Sequence, residues 1–314
     1  MDFIDWMHET HRMAGQLLQA VLVTAEADDR EACARAAREA ALFYLRRYLE
    51  AAGDQTETAD ESVACLLEAA VRHDHYFGRL RAEAHLLDAG VQSTASAEDI
   101  ADALMEIRFL AVGRAANVCG HPTTFREPLP HLAWLAVHAT TVERAAGIFA
   151  EHALYSFNEC LRRGLLSGEP IGVRYLHDPR RCADFVGFGI VNNYHAGEKV
   201  ANSQRKGWLD EGLEEDYQPS VRLFFPRAEI ESLPGFDSDG LHQFLVRDQV
   251  SLDLMVCAVF PTADAKDAAL GQVATPERRA RLTACCLVAP PECCGDPESY
   301  TTVTNELVTE QAGA

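Results

Sequence analysis

The chain has 314 residues, of which 48% are hydrophobic and 24% charged, with a formal net charge of −20. This is the balance of a soluble globular protein of one large or two ordinary domains. The acidic surplus argues against general affinity for nucleic acid or anionic membrane, because neutralising phosphate takes a basic surface. No stretch nears the ~20 uninterrupted apolar residues of a spanning helix.

In chain order, residues 3–25 place Phe3, Ile4, Met7, Leu17, Leu18, Val21 and Leu22 at amphipathic helical spacing. An alanine-rich helix follows from about 29 to 52 and stops at Gly53. After a polar loop at 54–61, in which Asp60 suits a cap, a third helix runs through Val63 and Leu66 to about Leu87, with Gly90 as its stop. Ser96, followed by Glu98 and Asp99, opens a helix over about 97–117, and the glycine and prolines of 119–130 form a loop. A long helix is then predicted over about 131–163, ending at Arg162, Arg163 and Gly164.

Gly168 and Pro170 mark a linker, after which the pattern changes. Strands are predicted at 171–176, 185–191, 221–225 and within 249–260, and short helices at 179–184, 227–233 and 241–247. A charged helix near 263–283 and a cysteine-bearing segment close the domain. The predicted architecture is an N-terminal all-α helical bundle (1–165), a smaller α+β domain (170–295) and a polar tail (296–314).

The start MDFIDWMHETHR carries acids instead of the basic residues of a secretory leader, so a cytoplasmic location is expected. Ten cysteines in that compartment are expected to be mostly free thiols. Cys285, Cys286, Cys293 and Cys294 stand apart as two adjacent pairs, candidates for zinc or redox chemistry or for plain thiols near a turn. No phosphate loop, dinucleotide fingerprint or nucleophile elbow is present.

Histidine is concentrated early, at positions 8, 11, 73, 75, 85, 121, 131, 138 and 152. On a continuous helix His131, His138 and His152 share one face, but the first two stand about 10 Å apart at 1.5 Å per residue and so need ligands from other helices. His11, Glu50, His75 and His138 are the candidate metal ligands; the cofactor is unknown, with iron, manganese or zinc the metals such a centre would take. The run MHETHRMAGQLL, the segment Tyr44–Glu50 and the run VRHDHYFGRL resemble the first three helices of hemerythrin-type iron proteins, over less than a third of the chain. That resemblance implies His11 and His75 as ligands. The family places a histidine four residues before a glutamate, where this chain has Arg46 before Glu50, and arginine does not ligate iron. The chain is therefore not assigned to that family. His73–Asp74, with His8 or His11, is similar to the metal-binding pair of HD-type phosphohydrolases, but no later aspartate is placed to complete it.

A second cluster lies at Asn192, Asn193, Tyr194, His195, Glu198, Lys199 and Arg205. His195 and Glu198 form a candidate acid–base pair and the others candidate ligand contacts, against the alternative of a solvated loop. With no complete catalytic set, the leading expectation is a two-domain regulatory protein that binds a small molecule or protein partner. A metal-dependent enzyme using bundle histidines, or catalysis around His195 and Glu198, is the alternative.

Overall fold

A computed structural model describes residues 3–54, 62–119, 134–166, 180–190, 218–238 and 243–313. The chain divides into two compact units, the first built mainly from residues 1–125 and the second from 126–173, 181–238 and 242–314. Among the described residues no helix is long and apolar enough to cross a membrane.

The first unit is helical. Helix α1 (Phe3–Glu26) turns at Asp28, and Asp29 then caps α2 (Arg30–Ala51) by accepting from the Ala32 amide. At the far end, Gly53 takes φ +77°, and the Gly53 and Asp54 amides donate to the Glu50 and Leu49 carbonyls. This is a Schellman closure, and it is why α2 stops at that glycine. Helix α2 packs against α1, α3 (Val63–His73) and α5 (Ala97–Val118). Its Ala34, Ala37, Ala40 and Ala41 are buried, and their small side chains leave room for neighbours that supply Trp6, Leu66 and Leu104.

The helix expected to run unbroken from Val63 to Leu87 is interrupted at Asp74, whose backbone is extended. A 3-10 turn (His75–Leu80) and α4 (Arg81–Ala89) follow. The cause is the Asp74 side chain, which accepts from the Tyr76 amide and pairs with Arg114 of α5. Ser62 caps α3, while the Asp88 carboxylate of α4 accepts from the Val63 and Ala64 amides. Helix α5 begins with a reciprocal Ser96–Asp99 capping box.

The second unit holds a mixed sheet, and here the expected helix at 131–163 is corrected. Residues 135–162 form β1 (Leu135–Thr140), α6 (Val142–Glu151), β2 (Ala153–Tyr155) and α7 (Phe157–Arg162). In β1, Leu135 and Val137 face one core while Ala136 faces the other, a period of two that the heptad-spaced histidines obscured. Then come β3 (Phe185–Ile190), β4 (Val221–Pro226), α8 (Arg227–Ser232), β5 (Phe236–Ser238), β6 (Gln243–Arg247) and β7 (Gln249–Ser251). The chain continues through β8 (Cys257–Phe260), α9 (Ala263–Gly271), α10 (Pro276–Cys285), β9 (Cys286–Val288) and α11 (Pro297–Gly313).

The sheet order is β5-β6-β3-β1-β4-β8-β9, antiparallel except for the β8–β9 pair, with β2 and β7 forming a separate ladder. Of residues 241–247, expected as helix, Gln243–Arg247 enter the sheet as β6, with Phe244 and Val246 pointing to one core and paired against β3. The helix expected over 263–283 divides at Val273–Thr275, where Pro276 restarts it as α10. The expected polar tail is also corrected: α11 buries Tyr300 and Val308 against Phe224, Val259 and Val137, and Tyr300 donates to the Ser220 carbonyl at 2.6 Å.

Candidate functional site

The side chains singled out in the sequence are held by specific partners. Glu50 receives Arg47 at 2.7 Å, and the same guanidinium reaches Glu9 and Thr10. His73 Nε2 lies 3.0 Å from Asp54. Asp74 is committed to Arg114, both side chains nearly covered, with that guanidinium 4.6 Å from the Tyr76 ring centre. Removing one partner from such a covered pair costs about 3–5 kcal/mol, so the aspartate of the His–Asp motif serves the fold. His75 packs its ring 4.6 Å from that of Tyr76. His11 lies on α1, its side chain outside the described set.

His138 belongs to the second unit, on β1, with Nδ1 2.8 Å from the Gly187 carbonyl oxygen. A carbonyl only accepts, so Nδ1 carries the proton. Burial holds this imidazole below its ordinary range and outweighs the carbonyl, which favours the charged ring; nearby Arg144 lowers it further. His152 closes α6 in the left-handed conformation (φ +57°), with Nε2 2.9 Å from Asp253. His131, Asn192, Asn193, Tyr194, His195, Glu198, Lys199 and Arg205 lie outside the described residues.

The two cysteine pairs separate: Cys286 packs into the core on one face of the sheet and Cys293 into the core on the other. Among the described residues, no group of three or more His, Cys, Asp or Glu side chains is placed to hold a metal ion.

The arrangement that does converge is a cleft of about 690 Å³ in the second unit. Helix α7 supplies Glu159 and Arg162, with Arg163 just after it. The α8–β5 turn gives Leu233 and Pro234, and the chain from Val246 to Leu254 lines the remainder. The wall at α7 begins with a capping hydroxyl, Ser156, bonded to the Glu159 amide. That fixes Glu159, whose carboxylate accepts from both Arg162 (2.9 Å) and Arg163 (2.6 Å). Arg163 also lies over the Tyr155 ring at 4.1 Å, and Arg162 reaches Asp248 at 3.0 Å. Arg247 stacks at 4.8 Å on Phe185. Each guanidinium is thus oriented in advance by a carboxylate or a ring, which lowers the ordering cost of recognising a planar anion.

The backbone beneath is constrained. Asp248 takes φ +63°, uncommon for a residue with a side chain, and its amide and carbonyl bond Asp184 and Ser156. Gly235 takes φ +77°, and a Cβ there would sit 2.7 Å from that of Arg247. Asp253 enters the cleft rim held by His152, Arg281 and Ser251; the His152 bond is the main reason its carboxyl stays below the usual range.

Nothing in the sequence marked this site as a unit. Arg162 and Arg163 read as a helix C-terminus, and Arg247–Asp248 fell in an expected helix and its flank. The β2–β7 ladder joins these distant segments. The class defined by fold and site is a helical unit followed by a mixed-sheet unit with an arginine-lined cleft. No family model, no curated protein and no solved structure matches this chain.

Proposed function

We propose that this chain is a ligand-binding regulatory protein of the cytoplasm, and that the cleft beside α7 takes a small organic carboxylate. The observation that carries this reading is the convergence of Arg162, Arg163 and Arg247, with the carboxylates Glu159, Asp248 and Asp253 beside them and Leu233 and Leu254, around one cleft. Its volume is within the ~300–1,000 Å³ range of small-molecule sites. The lining carries as many carboxylates (Glu159, Asp248 and Asp253) as guanidiniums, so the ligand's carboxylate takes the place of an internal partner such as Asp248 on Arg162, and Leu233 and Leu254 favour a ligand with a hydrophobic body.

The test is a thermal-shift screen of benzoate, succinate, octanoate and adenosine monophosphate, with hits measured by calorimetry. At least one carboxylate should raise the melting temperature, since a ligand bound only to the native state adds apparent stability. Arg162→Ala with Arg163→Ala should reduce its affinity at least tenfold. A panel without effect, or binding indifferent to both arginines, refutes the assignment.

A further inference from the structure

The three carboxylates in the cleft beside α7 are not equally committed. Glu159 is 12% exposed and is held by both Arg162 and Arg163. Asp253 is fixed by His152, Arg281 and Ser251. Asp248 has a single side-chain partner among the described residues, Arg162 at 3.0 Å. Both members of that pair are open to solvent, Arg162 61% and Asp248 46% exposed. An ion pair in such surroundings is weak, because water screens the attraction and two side chains lose freedom in forming it. Arg162–Asp248 is therefore the pair that an incoming ligand opens.

The aspartate left behind stays in place. Asp248 holds φ +63°, its amide donates to the Asp184 carbonyl, and its own carbonyl accepts from the Ser156 amide. That backbone is anchored on both sides, which keeps the side chain at the cleft wall. A ligand that offers Arg162 only a carboxylate sets two like charges side by side, an arrangement that weakens binding. A ligand that also brings a cation gives Asp248 a new partner. Because the Arg162 and Asp248 groups stand in contact, the two ligand charges must be close together, as they are when carboxylate and ammonium share one carbon.

We propose that the ligand of this cleft is an α-amino acid with an apolar side chain, an assignment that rests on the carboxylate reading above. Its carboxylate accepts from Arg162 and its ammonium donates to Asp248. Its side chain lies against Leu233 and Leu254, which line the cleft and are only half-buried without it. Glu159 remains on Arg163 and continues to orient Arg162. Every charge in the cleft then keeps a partner, and a neutral zwitterion leaves the balance of the lining unchanged.

Calorimetry on the full-length protein near neutral pH, where the amino group is protonated, compares each amino acid with its two truncated forms. L-phenylalanine is set against hydrocinnamate and phenethylamine, and L-leucine against isocaproate and isoamylamine. At least one amino acid should bind about tenfold or more tightly than both of its truncated forms. Asp248→Asn removes the charge and keeps the left-handed backbone, which asparagine tolerates. It should cut the preference for the amino acid over its des-amino form to about threefold or less, weakening the first and strengthening the second. Amino acids that bind no better than hydrocinnamate and isocaproate overturn this inference and leave the carboxylate reading standing. A preference that survives Asp248→Asn, or no binding by any of the six compounds, overturns it as well. Carboxylates that bind regardless of Arg162 and Arg163 end both readings.

Discussion

At the scale of single residues, His138 shows how a candidate ligand is bound into a sheet. Its ring supplies an N–H to the Gly187 carbonyl just past the β1–β3 pairing at Val137 and Gly189. Because burial lowers its folded-state value beneath the ~6.5 of an unfolded chain, the unfolded state binds the proton more readily. The stability linked to this depression is therefore complete above about pH 6.5 and is lost as pH falls toward the folded value. His138→Asn keeps a donor without the titration. The wild type should lose more urea resistance than the variant between pH 7.5 and 5.5; equal losses would contradict this account. Residue-level meaning was only partly legible in the sequence. Gly53, Ser96 and Gly90 announced helix ends through local chemistry that needs no tertiary contact. Asp74 did not, because its role depends on Arg114, forty positions away.

At the scale of elements, legibility followed the length and regularity of the apolar pattern. Helices α1, α2 and α5 carry long amphipathic stretches and emerged close to their observed bounds. The stretch at 131–163 misled because β1, α6, β2 and α7 are each too short for a period to dominate, and alanine suits a helix as readily as a buried strand position. Helix α11 was missed for another reason: few of its side chains are apolar, yet Tyr300, Thr304 and Val308 form the stripe that covers the sheet. Thr304 accepts from the buried Arg222 at 3.0 Å, so even its polar members are used inward. Tyr300→Ala should cost about 3–5 kcal/mol, as deletion of a large buried ring does, whereas Tyr300→Phe should cost about 1 kcal/mol for the lost bond to Ser220. Denaturant titration of the two variants separates cover from hydrogen bond, and indifference to Tyr300→Ala would contradict the packing role given to α11.

At the scale of the whole molecule, charge sets the conditions under which the chain is stable. A net charge of −20 spread over two compact units places like charges within reach of one another, and mutual repulsion disfavours compact states. Raising sodium chloride from about 0.02 M to 0.5 M shortens the Debye length severalfold and should raise the thermal midpoint. A midpoint that falls instead would mean the attractive pairs, such as Arg81 with Glu68 and Arg227 with Glu231, outweigh the repulsion. A helical first part followed by a strand-rich second part was readable, but the change of period after Gly164 comes late, since β1 and β2 already precede it. The arginine cleft was not, since its walls are far apart in the chain and meet only when β2 finds β7.

Strand β9 spans three residues at the rim of its sheet, next to β8, and two helices intervene between these neighbours. Such a strand gains its hydrogen bonds only after a long loop has closed. Cys286 opens that strand. Its shielding from solvent therefore depends on the outermost ladder of the sheet.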